Sequence, residues 1–247
     1  MGVGSIRCRR WARSLIAATS CLGLIGGLMG ILFVVVLMPD MYGAMVKNGQ
    51  MPAMVAQVMK IVMIGGMAVF YVILPACLLL FYSSRDCRAS CEVRDPQPRW
   101  TDRVPMPLLA VTVMFWIWAA SLLMMGCYGW VFPFFGVILT GPAGMLAALV
   151  ASALCAATAW GLGRLRLEAW AGAIVLMAAW SVSGYLTFRH VSLMELYRKM
   201  NFPEEQLRLM EQMALPDMSA LMAMYGAVAA VLLGVLIYVR RYFKTAS

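Results

Sequence analysis

Charge is what this sequence has least of, and least of all where its apolar runs are longest. Of 247 residues, 13% are charged and 63% are apolar, against roughly one quarter and one half in soluble domains. No Asp, Glu, Lys or Arg lies in the middle of any long apolar run. That absence argues against proton-coupled transport and intramembrane proteolysis, which need ionisable groups at depth. Histidine occurs once, as His190 at the end of an apolar run. A lone histidine with no partners reads as a surface residue rather than a ligand or base. No Ser/His/Asp set, phosphate-binding glycine loop, H-E-x-x-H or haem motif appears. The residues therefore point to a non-catalytic protein without a cofactor.

Other scarcities narrow the class further. The seven cysteines are odd in number and irregular in spacing, so no disulfide framework is implied. Cys87-x3-Cys91 is not the C-x2-C of a zinc ribbon, and no second pair or histidine accompanies it. The net charge is +9, but no basic stripe interleaved with aromatics suggests nucleic acid. The basic residues flank apolar blocks instead, as membrane topology requires.

Six such blocks are present: 14–38, 61–82, 107–127, 143–163, 169–188 and 219–239. Each is near the length of about 20 residues that crosses a bilayer as a helix. A chain this apolar could not cover its surface in water, whereas lipid can face Leu, Val and Met directly. The expected fold is all-α: one membrane domain, a bundle of six transmembrane helices, with the lipid bilayer as its first partner. The first block is too long for the core of a signal peptide and lacks an A-x-A-like exit. Arg9-Arg10 continues poorly as a twin-arginine signal. A retained signal-anchor helix is expected.

Lys and Arg divide unevenly between the two sides of this arrangement. Arg7, Arg9, Arg10, Arg13, Arg85, Arg88, Arg94, Arg99, Arg103, Arg164, Arg166, Arg240, Arg241 and Lys244 fall on one side. Lys47, Lys60, Arg189, Arg198, Lys199 and Arg208 fall on the other. The richer side is expected to be cytoplasmic, with both termini. Gly129–Pro142 is apolar but too short to span. It is expected to lie in the interface as an outer connection, anchored by Trp130 and Phe132; re-entry is the alternative.

Lipid supplies no hydrophobic drive between helices, so small residues at helical spacing mark close contacts. Gly23-x3-Gly27 and Gly26-x3-Gly30 do so in span 1. Gly144, Ala148, Ser152 and Ala156 do so in span 4, and Gly226, Ala230 and Gly234 in span 6. Pro75 removes a backbone donor in span 2 and is expected to kink it near Val72–Ile73.

Two outer segments follow spans 1 and 5. Pro52 suits the first turn of a helix running into span 2. In 189–217, an amphipathic segment, Asn201 is expected to cap a helix with Pro203 near its start, and with Leu207, Met210 and Met213 on one face before Pro216. Both segments are rich in methionine, including Met41, Met45, Met51, Met54, Met194, Met200 and Met218. Met59, Met63 and Met67 place three thioethers on one helical stripe, and soft thioethers select Cu(I). This stripe resembles the MxxxM of the second membrane helix in high-affinity copper-uptake transporters. Those have three helices and carry GxxxG in the last. The plainer reading is that Met is an adaptable apolar filler.

The 83–106 loop is expected to be a cytoplasmic connector between spans 2 and 3. It has a turn at Asp95-Pro96 and Pro98, and ion pairs among Arg94, Asp95, Arg99, Asp102 and Arg103. From Ala89 to Ala110 it resembles a segment of bacterial multi-pass inner-membrane proteins of no known activity, a likeness extending loosely over spans 1–3. That resemblance implies the inner (plasma) membrane of a bacterium. The expected function is that of an accessory or interaction component, with a protein partner or a second copy of the chain. The alternative is a transporter or channel for Cu(I) or a small neutral solute.

Overall fold

The structure, a computed structural model, describes residues 2–47, 49, 51–212 and 218–243. Met213, Pro216 and Lys244 lie outside these residues, as do the side chains of Met41, Met45, Met210 and Met218. Among the described residues, six helices are long and apolar enough to cross a membrane. Their positions agree with the six apolar blocks, and their ends differ by a few residues or more.

Span 1 is helical from Arg10 to Lys47 and continues through Pro39, where the apolar pattern alone stops. A single proline removes one backbone bond and need not end a long helix. Span 2 covers Ala53–Ser83, with Pro52 as the residue before its first turn. It is interrupted by a π-helical stretch, Ala68–Ile73. This is the distortion expected upstream of Pro75, taken up by widening a turn. Span 3 runs Met106–Leu123 and tightens into a 3-10 turn, Met124–Tyr128. Span 4 is Gly141–Gly163, with Pro142 in its first turn. Span 5 is Leu167–His190 and span 6 is Met218–Val239.

Span 3 is the hub. It lies along span 4 and also touches spans 1 and 6. In its central window 56% of residues are buried, against 6% in span 2. Span 4 packs on span 5, span 5 on span 6, and span 6 returns to spans 1 and 3. Span 2 stands outside this ring and packs along span 1. Its Phe70, Ile73, Leu80 and Phe81 face outward, as suits a surface turned to lipid. The most deeply buried large side chains include Leu108, Leu109, Leu162, Leu236 and Val239. All five lie toward the end of the bundle that carries the arginines of residues 9–13 and 85–103, here termed the basic end.

The connection at 129–142 has regular structure that its apolar pattern does not suggest. It folds into an antiparallel hairpin of β1, Phe132–Phe134, and β2, Val137–Leu139, with Phe132 opposite Leu139. The hairpin packs against spans 4 and 5. Phe132 is buried and stacks edge-on against Trp180 rather than anchoring outside. A hairpin satisfies backbone groups that a lone extended segment would leave open.

The connector between spans 2 and 3 is more helical than its charge pattern suggests. Ser84 accepts a hydrogen bond from the Cys87 N–H at 3.3 Å and starts a helix over Arg85–Arg94. A single turn, Trp100–Arg103, leads into span 3, with Asp102 accepting from the Arg99 N–H at 3.0 Å. At the opposite end, two short helices, Leu193–Lys199 and Glu204–Gln212, fill the segment after span 5. Asn201 does not cap the second of these. It sits at φ 56° just past the first, a left-handed position that Asn tolerates, and Pro203 opens the second helix by accepting from Gln206 and Leu207.

Candidate functional site

Where the small residues fall decides which helices approach most closely. In span 1, Gly23, Gly27 and Gly30 face span 2. A β-carbon added at Gly23 would lie 3.4 Å from Pro75 Cγ, and one at Gly30 would lie 2.8 Å from Met67 Cε. At Gly27 it would collide with the Tyr71 carbonyl oxygen, and would lie 2.7 Å from Tyr71 Cβ. Residues 75, 71 and 67 descend span 2 by single turns as 23, 27 and 30 climb span 1. Pro75 has no N–H to offer the carbonyl four residues back, that of Tyr71. Gly27 lets that carbonyl come against the neighbouring backbone, a contact geometry recurrent between helices. Gly26 has open space around it and takes no part.

In span 4, Ala148 is fully buried, and the Ser152 hydroxyl donates to the Ala119 carbonyl of span 3 at 2.8 Å. Such bonds between helices are a recognised source of association in lipid. Gly144 has a different role from the expected one. Its α-carbon lies beneath the carbonyl of Trp130, with the Leu139 carbonyl oxygen 3.0 Å from an added β-carbon. It therefore makes room for the hairpin rather than for another helix.

Span 6 turns its small residues a different way from span 1. Gly226 and Gly234 have nothing within 4 Å of an added β-carbon, and both, with Ala230, are exposed. Their stripe faces away from the chain's own bundle. Span 6 packs inward through Leu232, Leu236 and Val239 instead, and Trp170 of span 5 donates its indole N–H to the Leu236 carbonyl at 2.7 Å. The close contact between spans 5 and 6 is made by a glycine that repeat spacing did not reveal. Gly184 accommodates the Tyr225 ring, whose hydroxyl donates to the Trp180 carbonyl at 3.0 Å.

Two further polar residues become visible only with the hairpin. The Phe135 N–H donates to Ser183 Oγ at 3.0 Å and the Gly136 N–H to Thr187 Oγ1 at 3.1 Å. Ser183 Oγ in turn donates to the Pro133 carbonyl at 3.2 Å. Span 5 thus supplies, one helical turn apart, the partners for the tip of β1 and its turn. Four other hydroxyls within spans are closed on their own helices. Thr19, Thr112, Ser121 and Ser181 each donate to a carbonyl three or four residues back. Between spans 3, 4, 5 and 6 lies an apolar cavity of about 280 Å³, bounded by Trp118, Met125, Met177, Trp180 and Tyr225 among others.

At the basic end, Asp95 is 3% exposed. Its Oδ1 lies 3.7 Å from Arg9 and 3.4 Å from Arg99, so it ties the segment before span 1 to the connector. Asp102 adds a bond from Ser14 at 3.4 Å. Arg88 and Glu92 pair at 2.9 Å along one helix. The hydrogen bond from Arg88 holds the Glu92 carboxyl below the ordinary range. Burial, aided by Cys87 beside it, pushes the Cys91 thiol up to about 11, so it is protonated at neutral pH.

The methionine stripe divides by environment. Met67 is the side chain packed at Gly30, Met63 is half-buried, and Met59 is 47% exposed. The use of Met67 follows the filler reading, in which a flexible thioether fits an irregular gap. Comparison with known proteins gives no match to this chain among family models, curated proteins or solved structures.

Proposed function

We propose that this chain is a non-catalytic integral membrane protein that acts by association within the plane of the bilayer, as an accessory or interaction component. The observation that carries the reading is the outward stripe of Gly226, Ala230 and Gly234 on span 6. Small residues at this spacing permit close helix contact, and the chain makes no such contact with itself there. The largely uncovered span 2 is consistent with the same role. The hydroxyls of Thr112, Ser121 and Ser181 are bonded back to their own helices, which disfavours an ion conductor. The setting is the bacterial inner membrane, with the basic end and both termini in the cytoplasm, as the skew of Lys and Arg requires.

A photo-crosslinking residue at Ala230, in cells, tests the association. An adduct to a second copy of the chain or to another membrane protein is expected. Adducts to lipid alone would refute the proposal. Reporter fusions at the two ends test the orientation, and opposite signals from them would overturn it.

The apolar cavity between spans 3 and 6 favours a second reading, a carrier of a small apolar solute. It makes the cavity a binding place for cargo. Substitution of Met177 by Trp should then abolish solute retention while leaving the fold intact.

A further inference from the structure

A second cavity, of about 380 Å³, opens at the basic end, where span 1 begins, span 2 ends and span 3 begins. Its walls include Arg10, Arg13, Arg88, Thr101, Glu92 and Asp102. The two carboxylates already have partners: Glu92 holds Arg88, and Asp102 accepts from the Arg99 N–H and from Ser14. The donors are less well served. Among the described residues the Nε of Arg10 and of Arg13 are buried with no hydrogen-bond partner, while Arg10 Nη2 donates to the Glu92 carbonyl at 3.5 Å. Thr101 is 2% exposed, and its hydroxyl likewise has no partner among them. A buried donor left unmet is unfavourable, so a group that collects several of them at once is expected to bind.

The first turn of span 3 adds to the field. Pro105 and Met106 line the cavity, and the positive end of the span 3 helix dipole favours an anion. The floor is formed by Ala17 and Leu109, and Tyr82 stands at the side. The cavity therefore lies at the boundary between apolar and charged sequence, where the phosphate layer of a bilayer would meet the bundle.

We propose that this cavity binds a phosphate group, held by the guanidinium groups of Arg10 and Arg13 and by the Thr101 hydroxyl. Planar guanidinium forks match phosphate oxygens. The source is a phospholipid headgroup or a free phosphate ion, which present the same chemistry to these donors.

The test uses the full chain in detergent, titrated at constant ionic strength with short-chain phosphatidylglycerol or with inorganic phosphate. Thermal unfolding is followed by tryptophan fluorescence. The wild type is expected to gain Tm with at least one ligand. A rise with the lipid alone assigns the site to a headgroup, and a rise with inorganic phosphate assigns it to the free ion. Arg10→Gln/Arg13→Gln should weaken the apparent affinity by roughly tenfold or more. Thr101→Val, which alters no charge and should fold whatever the arginine pair does, should weaken it about fivefold. No Tm rise with either ligand would overturn the proposal. So would a wild-type midpoint retained in Thr101→Val.

Discussion

Replacing Gly27 by Ala adds one carbon at the tightest point between spans 1 and 2. That carbon would collide with the Tyr71 carbonyl oxygen and stand 2.7 Å from Tyr71 Cβ and 2.9 Å from the carbonyl carbon. Carbon atoms settle at about 3.5–4.0 Å, so the helices must part by roughly 1 Å. A gap of that size forfeits about a quarter to a half of each pairwise attraction it opens. Overpacking of this kind costs about 1–3 kcal/mol. Span 2 packs chiefly on span 1 and has little other burial with which to offset the loss. Gly27→Ala is therefore expected to destabilise the protein by about 2 kcal/mol. Gly26→Ala, in open space, should stay within about 0.5 kcal/mol of wild type. Gly30→Ala should fall between them, because its obstacle is the flexible tip of Met67. Gly27→Leu should exceed all three and disturb assembly more than Leu24→Phe. Unfolding in mixed micelles of increasing denaturing detergent, followed by far-UV circular dichroism, measures the order. Equal stability of Gly27→Ala and Gly26→Ala would refute the reasoning.

Three other outcomes follow from the same geometry. Thr187→Val keeps the shape of the side chain but leaves the Gly136 N–H without its acceptor; a loss of about 1–3 kcal/mol is expected, with faster proteolysis within the hairpin as its signature. Asp95→Asn removes the charge facing Arg9 and Arg99. It should cost about 1–3 kcal/mol and loosen the connector, which limited trypsin digestion at Arg99 would register. Cys91 has a folded-state pKa raised from 9.0 to about 11, so the folded chain holds its proton longer than the unfolded chain. That contribution is fully present below about pH 9 and is lost as pH rises toward about 11. Thermal stability should fall over this window in wild type and fall less in Cys91→Ala.

The membrane-crossing helices were legible because each is long, apolar and flanked by charge, signals that depend on composition rather than partners. The span 1 contact was legible too, since glycines repeating at helical spacing must share a face. Which face meets a neighbour is a different matter. Gly226, Ala230 and Gly234 have the same spacing as Gly23 and Gly27, yet point outward, because only the ring of helices determines what lies opposite. Gly184 has no repeat to announce it, and its role depends on Tyr225, 41 positions on. The hairpin was missed for a related reason. Its turn is held by Ser183 and Thr187, and no local pattern in Gly129–Pro142 names partners on another helix. The cavity at the basic end is not legible locally, because its donors come from two separate stretches, the arginines that open span 1 and Thr101 of the connector, and neither names the other.

The hairpin also sets an order of events during synthesis. Residues 132–139 leave the ribosome before Ser183 and Thr187 exist to receive the amides of Phe135 and Gly136. Until the fifth helix enters the bilayer, those amides must stay hydrated, so the loop waits at the water's edge. Its docking on the fifth helix is therefore a late step, and a chain halted before residue 183 would lack both of these acceptors.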